Sequence, residues 1–286
     1  MIHLVMLLHS VIAAGTFLAA KRLLDELPPW EVALARFTLA GVVFAGLLWH
    51  RRVRIPRQDL LGLAALGFVA VPLNQGFFLV GLSLSTPGHA ALLYALTPIF
   101  VFLIARLRLG ERATALKLLG IGVAFAGVTI VLLARGSVAL GGSRRMLLGD
   151  LLILLAVVAW ALFAVGGKRY AEKYGAVAAT SAAIVAGTVL YLPVGLVLSD
   201  LSRFARLSAL GWASLGYLVV LTSVVAYLLY YWALSRSEAT RVAIWSNLQP
   251  VLTAFLAWAV YGERLTGPFL AGGAMVLAGV LLTERG

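Results

Sequence analysis

The chain carries an internal repeat, and this repeat constrains its fold more than any other feature. Residues 94–128 align without a gap with residues 246–280, an offset of 152, and a weaker echo at an offset of 147 places Lys21-Arg22 over Lys168-Arg169. The longer alignment superposes Pro98 on Pro250, Gly110-Glu111-Arg112 on Gly262-Glu263-Arg264, Gly120 on Gly272, and Gly127 on Gly279. The chain is therefore expected to consist of two copies of one structural unit.

Each copy contains about five apolar runs. The chain is 62% hydrophobic and 12% charged, whereas soluble domains are close to half apolar and about a quarter charged. Disorder is excluded as well, because it requires low hydrophobicity and high charge density. The runs lie at 4–22, 30–49, 60–82, 87–106, 115–134, 149–167, 176–198, 209–233, 239–260 and 266–283. Since about 20 apolar residues cross the hydrocarbon core, we predict an all-α membrane protein with about ten transmembrane helices.

An odd number of helices in each copy means that the two copies cross the membrane in opposite directions. Such inverted-topology repeats are typical of secondary transporters, whose substrate site lies near the midplane between the repeats. We predict a first five-helix repeat at 1–134, a connecting loop at 135–148 and a second, inverted five-helix repeat at 149–286. The paired glycines of the alignment predict close packing of the fifth helix against the tenth.

Two five-helix halves, each with a proline followed by Gly-Glu-Arg before its last helix, resemble the drug/metabolite transporter superfamily. Within it, the chain is similar to the EamA-type permeases and, among these, to the YddG-like amino-acid exporter branch. The resemblance covers essentially the whole chain. It implies a transporter of small metabolites in a bacterial-type inner (plasma) membrane, with a central cavity lined by helices 1, 3, 4, 6, 8 and 9.

The distribution of Lys and Arg predicts the orientation of the chain. Basic residues are more numerous in the connectors on the side of the N-terminus, for example in 50–59, than in those on the opposite side. Cytoplasmic connectors carry the excess of positive charge. We therefore predict a multi-pass protein with cytoplasmic N- and C-termini, although the basic loop at 134–145 runs against this pattern.

Prolines near the middle of the apolar runs are candidate hinges. Twelve residues separate Pro98 from Gly110, about 18 Å of helix, which places Pro98 and Pro250 near mid-membrane. Proline leaves a backbone carbonyl without its helical partner, a situation tolerated at that depth only inside protein or beside a cavity. Pro72, Pro98 and Pro250 are therefore predicted hinge or gate residues, with static kinks as the alternative. Glu111 is expected to fix the turn after the fourth helix.

The substrate site is predicted from the polar and aromatic faces of six helices. Polar side chains in a bilayer should face protein or water, so a shared polar face indicates the cavity side. The predicted substrate-binding residues are His9, Ser10, Thr16, Asn74, Phe78, His89, Tyr94, Thr97, Trp160, Phe163, Tyr227, Tyr231, Trp245, Ser246 and Gln249. Other interpretations remain open: Tyr231 and His89 could lie at the membrane interface, and Asn74 and Gln249 could bridge helices.

The charges indicate the class of cargo. No Asp or Glu lies at mid-span, and Glu31 and Arg36 lie near one end of the second helix. A transporter driven by carboxylate protonation would need a buried acid. We therefore expect a cargo without large net charge, such as a zwitterion, and predict export of amino acids, aromatic or hydrophobic, by alternating access. Drugs, nucleobases or sugar derivatives are the alternative cargo.

Other functions and partners are disfavoured. The chain has no cysteine, and neither a zinc-protease nor a serine-hydrolase motif is present, so we expect no enzyme, no cofactor and no metal site. A channel is less favoured because no ring of charges or carbonyls is evident. The net charge of +12 is dispersed over the connectors, which argues against nucleic acid. The expected partners are a small-molecule substrate and the lipid bilayer, with the chain as a monomer or a homodimer.

Overall fold

A computed structural model describes residues 1–134, 144–252 and 267–286, which form helices almost throughout. The helices are α1 (Ile2–Leu24), α2 (Pro29–His50), α3 (Arg57–Leu84), α4 (Pro87–Leu109), α5 (Ala115–Ala134), α6 (Arg144–Tyr174), α7 (Ala176–Leu198), α8 (Ala209–Leu234), α9, which begins at Ala239 and is described to residue 252, and α10 (Gly267–Arg285). In the described ranges, α1 to α8 are long and apolar enough to span a membrane, and no strand occurs. The predicted all-α fold is confirmed.

Two predicted features lie partly or wholly outside the described residues. The first is the connecting loop, of which residues 135–143 are not described, and the second is the triplet Gly262-Glu263-Arg264. The first triplet is described. Its Gly110 ends α4 in the left-handed conformation, with φ of 68°, which glycine adopts without a steric penalty.

The fifth and tenth helices pack against each other, as the paired glycines predicted. A Cβ atom on Gly127 would lie 2.6 Å from the carbonyl oxygen of Gly272, and one on Gly120 would lie 2.7 Å from that of Gly279. Only glycine therefore permits this approach of the two backbones. The contact joins the last helix of one half to the last helix of the other.

Other contacts between the halves occur in matching pairs. Helix α3 packs against α6 and α7, and its repeat equivalent α8 packs against α1 and α2. Two lysines make equivalent hydrogen bonds: Lys21 Nζ donates to the carbonyls of Leu82 and Ser85, and Lys168 Nζ to those of Leu234 and Ser237. The acceptor residues of the two sets are 152 positions apart, the offset of the longer alignment. The two lysines are 147 positions apart, the offset of the weaker echo. The repeat in the sequence is therefore also a repeat in tertiary contacts.

A second matched pair of hydrogen bonds has its donors exchanged. His9 Nδ1 lies 3.1 Å from the carbonyl oxygen of Ala226, which joins α1 to α8. Asn74 Nδ2 lies 2.7 Å from the carbonyl oxygen of Ala156, which joins α3 to α6. Ala156 is the repeat equivalent of His9, and Asn74 that of Ala226. The same two repeat positions are therefore hydrogen-bonded twice between the halves. The position that supplies the side chain in one bond supplies the backbone carbonyl in the other.

Four helices depart from α-helical geometry at equivalent points. Helix α3 is π-helical at Val69–Leu73 and α8 at Tyr217–Ala226, and an offset of 152 places the first segment inside the second. Helix α4 is interrupted by a turn at 95–96, just before Pro98, and α9 tightens into a 3₁₀ turn at Ile244–Asn247, just before Pro250. Irregular backbone at membrane depth is tolerated where it lines a cavity or is buried in protein. All four irregular segments flank the same central space.

Candidate functional site

A central chamber with a cavity volume of about 70 Å³ lies between the two halves. Helices α1, α3, α4, α6, α8 and α9 contribute to the wall, as the polar faces predicted, and α2 adds one residue. The chamber is lined by His9, Ala13, Thr16, Phe17, Arg36, Asn74, Gln75, Phe78, Tyr94, Trp160, Thr222, Ala226, Tyr227, Ser246 and Gln249.

The structure brings many of the predicted substrate-binding residues together in this wall. The predicted residues that line the chamber are His9, Thr16, Asn74, Phe78, Tyr94, Trp160, Tyr227, Ser246 and Gln249. They come from six helices that are far apart in the chain, so helical periodicity and the repeat together located one common surface.

Three predicted residues lie behind the wall in contacts between helices. Ser10 is buried, and its hydroxyl donates to the carbonyl oxygen of Trp245 at 3.0 Å. The indole of Trp245 donates in turn to Glu284 Oε1 at 2.7 Å. These bonds tie α1, α9 and α10 together. Thr97 is fully buried next to Pro98 and does not line the chamber.

The other three also make structural contacts outside the wall. The hydroxyl of Tyr231 donates to the carbonyl oxygen of Phe163 at 3.0 Å, and the two rings lie 5.0 Å apart. Both side chains are buried inside the protein. His89 Nδ1 lies 2.7 Å from Asp150 Oδ2, and Asp150 Oδ1 accepts from the Ser85 hydroxyl at 2.5 Å. This cluster joins the end of α3 and the start of α4 to the start of α6.

The predicted hinge prolines border the chamber but do not line it. Pro72 lies inside the π-helical segment of α3, two residues before Asn74. Pro98 is in the first turn after the interruption of α4, where proline's missing N–H leaves no helical bond unmade. Pro250 follows the 3₁₀ turn of α9 by three residues. Their role as hinges stays a prediction.

A polar network crosses the middle of the chamber. We call Arg36, Asn74, Gln75, Ser223 and Tyr227 the polar belt. Arg36 donates from Nε to the Ser223 hydroxyl at 2.7 Å and from Nη1 to Gln75 Oε1 at 2.8 Å. Gln75 Nε2 donates to the Tyr227 hydroxyl at 3.2 Å and also to Asn74 Oδ1. The belt therefore connects α2 and α3 of the first half to α8 of the second.

Aromatic clusters lie on both sides of the belt. The Phe17 cluster contains Phe17, Phe78 and Tyr94, whose ring centroids are 5.5–6.0 Å apart. The Trp160 cluster contains Trp160, Phe163, Tyr227, Tyr230 and Tyr231, with centroids 5.0–6.2 Å apart. The members of the first cluster lie toward the ends of α1 and α3 and the start of α4, whereas those of the second lie toward the opposite end of the bundle. In the chamber wall, the residues of the polar belt therefore have Phe17, Phe78 and Tyr94 on one side and Trp160 on the other.

Arg36 is the charged residue of the chamber wall, and sequence reasoning missed it as a site residue. Its side chain is 1% exposed. Among the described residues, no carboxylate lies within ion-pairing distance of it. Position along α2 placed Arg36 near one end of the helix, but the long side chain points into the chamber. A lone basic residue seven residues inside an apolar helix was the available signal, because an intramembrane cation commonly marks a functional site.

Glu111 of the first Gly-Glu-Arg triplet does more than fix its own turn. Its carboxylate accepts from the backbone N–H of Ala239 at 2.6 Å and from the Thr240 hydroxyl at 2.5 Å. Lys117 Nζ lies 2.8 Å from Glu238 Oε2. We call Glu111, Lys117, Glu238, Ala239 and Thr240 the α9 clamp. An acceptor at a helix start satisfies N–H groups that have no helical partner, so the clamp holds the start of α9 against the α4–α5 turn.

The comparisons with known proteins agree over the whole chain. The sequence model described as the EamA-like transporter family matches residues 1–133 and 147–285. A protein from Archaeoglobus fulgidus named "Uncharacterized transporter" is 32% identical over 283 residues, with 98% of this chain and 96% of that protein covered. A solved crystal structure superposes with a TM-score of 0.78 and 20% identity, with 98% of both chains covered. That structure supports the fold alone.

Two further relatives have more specific names. A protein from Streptantibioticus cattleyicolor named "Probable terminal-alkyne amino-acid exporter" is 30% identical over 286 residues, covering 98% of this chain and 92% of that protein. The protein of Escherichia coli K12 named "Uncharacterized inner membrane transporter YedA" is 28% identical over 276 residues, covering 96% and 87%.

Proposed function

This chain belongs to the EamA-like transporter family, and from that premise we propose that it exports amino acids with apolar or aromatic side chains by alternating access around the central chamber. The observation that carries this proposal is the composition of the chamber wall: residues of the polar belt lie between Phe17, Phe78 and Tyr94 on one side and Trp160 on the other.

The wall suits the two ends of an amino acid. The polar belt offers hydrogen bonds to the charged backbone groups, and the aromatic rings offer apolar surface to the side chain. We assign the nine predicted residues of the wall, together with Arg36 and Gln75, to substrate binding. The relative named as a probable terminal-alkyne amino-acid exporter supports this choice of cargo. The mechanism needs no covalent step and no cofactor.

Alternating access requires the chamber to open to one side at a time. We propose that residues 1–134 and 149–286 act as the two moving bodies. The irregular segments of α3, α4, α8 and α9 would then absorb the change in backbone angles, with Pro72, Pro98 and Pro250 as hinge residues. The support is that these segments lie at equivalent points of the two halves, beside the chamber.

We place the protein in the inner (plasma) membrane with both termini in the cytoplasm. Because the chain has no cysteine, single cysteines can be labelled without background. Arg54→Cys lies in the exposed α2–α3 connector and Arg206→Cys in the exposed α7–α8 connector. A membrane-impermeant maleimide added to intact cells should label Arg206→Cys and spare Arg54→Cys; the reverse pattern contradicts this orientation.

Transport itself is tested by flux of radiolabelled phenylalanine, leucine and alanine in proteoliposomes. We expect saturable flux that falls at least tenfold in Trp160→Ala, because the indole contacts three aromatic neighbours beside the polar belt. The matched control is Trp49→Ala, since Trp49 is 86% exposed at the end of α2. Flux no greater than in empty vesicles for every amino acid overturns the proposal, and a nucleobase and a sugar phosphate in the same panel identify the alternative cargo.

A further inference from the structure

We propose that Arg36 binds the carboxylate of the substrate, so that the chamber selects small carboxylic acids with an apolar or aromatic body and does not require an amino group. This inference rests on the proposed transport function and narrows its substrate class. It predicts that an α-hydroxy acid binds as well as the amino acid with the same side chain.

The first observation is the isolation of the positive charge. Arg36 lines the chamber with its side chain 1% exposed. No Asp or Glu is among the described residues of the wall. A buried cation that is not paired with an anion is strongly disfavoured. A carboxylate that enters the chamber can pair with the Arg36 guanidinium and so offset the free-energy cost of burying that charge.

The second observation is that the partners of Arg36 are neutral and leave part of the guanidinium unused. Ser223 accepts from Nε and Gln75 from Nη1, which accounts for two of the five N–H donors of an arginine. The Ser223 hydroxyl in turn donates to the Leu218 carbonyl oxygen at 2.9 Å, so its orientation is fixed by the π-helical segment. The two acceptors hold the planar group in place, and such a group can bind a carboxylate through two parallel hydrogen bonds.

The third observation is that the second half has no charged residue at the position equivalent to Arg36. The two offsets of the repeat place Ala183 and Thr188 over Arg36. The described wall therefore carries one fixed positive charge and no fixed negative charge. An ammonium group meets only neutral acceptors there, such as the hydroxyls of Thr16 and Ser246. Selectivity should follow the carboxylate, with the amino group contributing little.

The experiment uses four probes with the same benzyl body: phenylalanine, 3-phenyllactate, phenylalaninamide and phenethylamine. Each competes with labelled phenylalanine for binding to the purified protein and for flux in proteoliposomes, and direct binding is followed by tryptophan fluorescence. We expect phenylalanine and 3-phenyllactate to bind within about threefold of each other, and the amide and the amine at least tenfold more weakly.

Two variants of Arg36 separate charge from geometry. Arg36→Lys keeps the charge but loses the planar fork, so binding of both acids should weaken about tenfold and their preference over the amide should persist. Arg36→Gln should abolish that preference while binding of the amide stays unchanged. The control is Arg54→Gln, because Arg54 is exposed in the α2–α3 connector; it should bind all four probes like the unmodified protein.

The outcomes distinguish this inference from the proposed function. Transport of 3-phenyllactate without transport of phenylalanine leaves the inference standing and contradicts amino-acid export. Equal binding of phenylalanine and phenylalaninamide, or an unchanged preference in Arg36→Gln, overturns the inference while amino-acid transport stands. Binding of neither acid contradicts both.

Discussion

The side chains of Gln75 and Tyr227 are hydrogen-bonded to each other across the chamber, although the two residues are repeat equivalents 152 positions apart in the chain. The contact therefore joins the same position of the two repeats. The same glutamine accepts a hydrogen bond from Arg36. The two halves are therefore joined at this position by a hydrogen bond between neutral side chains. The charged residue next to it, Arg36, belongs to the first half.

Loss of Gln75 should destabilise the protein more than loss of the Tyr227 hydroxyl. Gln75→Ala leaves a buried donor of Arg36 without an acceptor, which costs about 1–3 kcal/mol, whereas Tyr227→Phe removes a bond between neutral groups worth about 0.5–1.5 kcal/mol. Thermal unfolding in detergent measures both variants. A larger loss in Tyr227→Phe than in Gln75→Ala contradicts the arrangement of the polar belt.

The α9 clamp should depend on the Glu111 carboxylate. Glu111→Ala removes the acceptor for Ala239 N–H and the Thr240 hydroxyl, and the loss of such a helix-start acceptor costs about 0.5–2 kcal/mol. We expect a lower melting temperature and faster thiol labelling of a cysteine at Val242, which is buried two residues further along α9.

Glu172→Ala is the matched control for the clamp. Glu172 is half-exposed and pairs with Lys168 one turn away on the same helix, an arrangement that contributes little. Equal labelling rates in Glu111→Ala and Glu172→Ala would show that the carboxylate does not hold α9 in place.

The contact between α5 and α10 offers a comparison of two glycines in one helix. At Gly127, a Cβ would lie 2.6 Å from the Gly272 carbonyl oxygen, whereas a Cβ at Gly122 meets nothing within 4 Å. Overpacking costs about 1–3 kcal/mol, so Gly127→Ala should lower the melting temperature. Gly122→Ala should leave it unchanged or raise it, because alanine favours a helix by up to about 1 kcal/mol. Similar shifts in both variants contradict the close packing.

Acid should weaken the attachment of the α1–α2 connector. Hydrogen bonds from the backbone N–H and the hydroxyl of Ser208 lower the pKa of Glu26 below its ordinary value. A carboxyl with a lowered folded-state pKa stabilises the fold at pH values above its unfolded pKa, about 4.3, and that contribution is lost as the pH falls through the lowered folded pKa.

Melting temperatures between pH 7 and pH 3 test this expectation. Glu26→Gln should melt below the unmodified protein at pH 7, and the difference between them should shrink on acidification below about pH 4.3. A difference that stays constant over this range excludes a contribution from the ionised carboxylate.

Hydrophobic runs predicted the all-α fold, and polar faces predicted six of the seven helices that contribute to the described chamber wall. They were less reliable for individual side chains, and the reason is visible at Tyr231 and Trp245. Tyr231 lies one turn beyond Tyr227 in the regular α-helical part of α8, but its hydroxyl bonds to the carbonyl oxygen of Phe163. Trp245 directly precedes the wall residue Ser246, but its indole bonds to Glu284 of α10. A shared helix face continues beyond the chamber into contacts between helices, and the sequence does not mark where the chamber ends.

Arg36 was missed for a different reason. Periodicity assigns a residue to a face and a depth, but it does not say where the end of a long, flexible side chain will lie. The network that fixes the guanidinium comes from α3 and α8, and no pattern within α2 predicts it.

The exchanged hydrogen bonds of His9 and Asn74 bear on how a duplicated gene can diverge. Both bonds end on a backbone carbonyl, a group that every amino acid supplies. After duplication, either position of the pair could therefore lose its polar side chain, provided that the other gained one. One joint has its donor on the first helix of a half and the other has its donor on the third helix, and both donors belong to the first half. Positions that differ in sequence between the two halves therefore preserve the same joint.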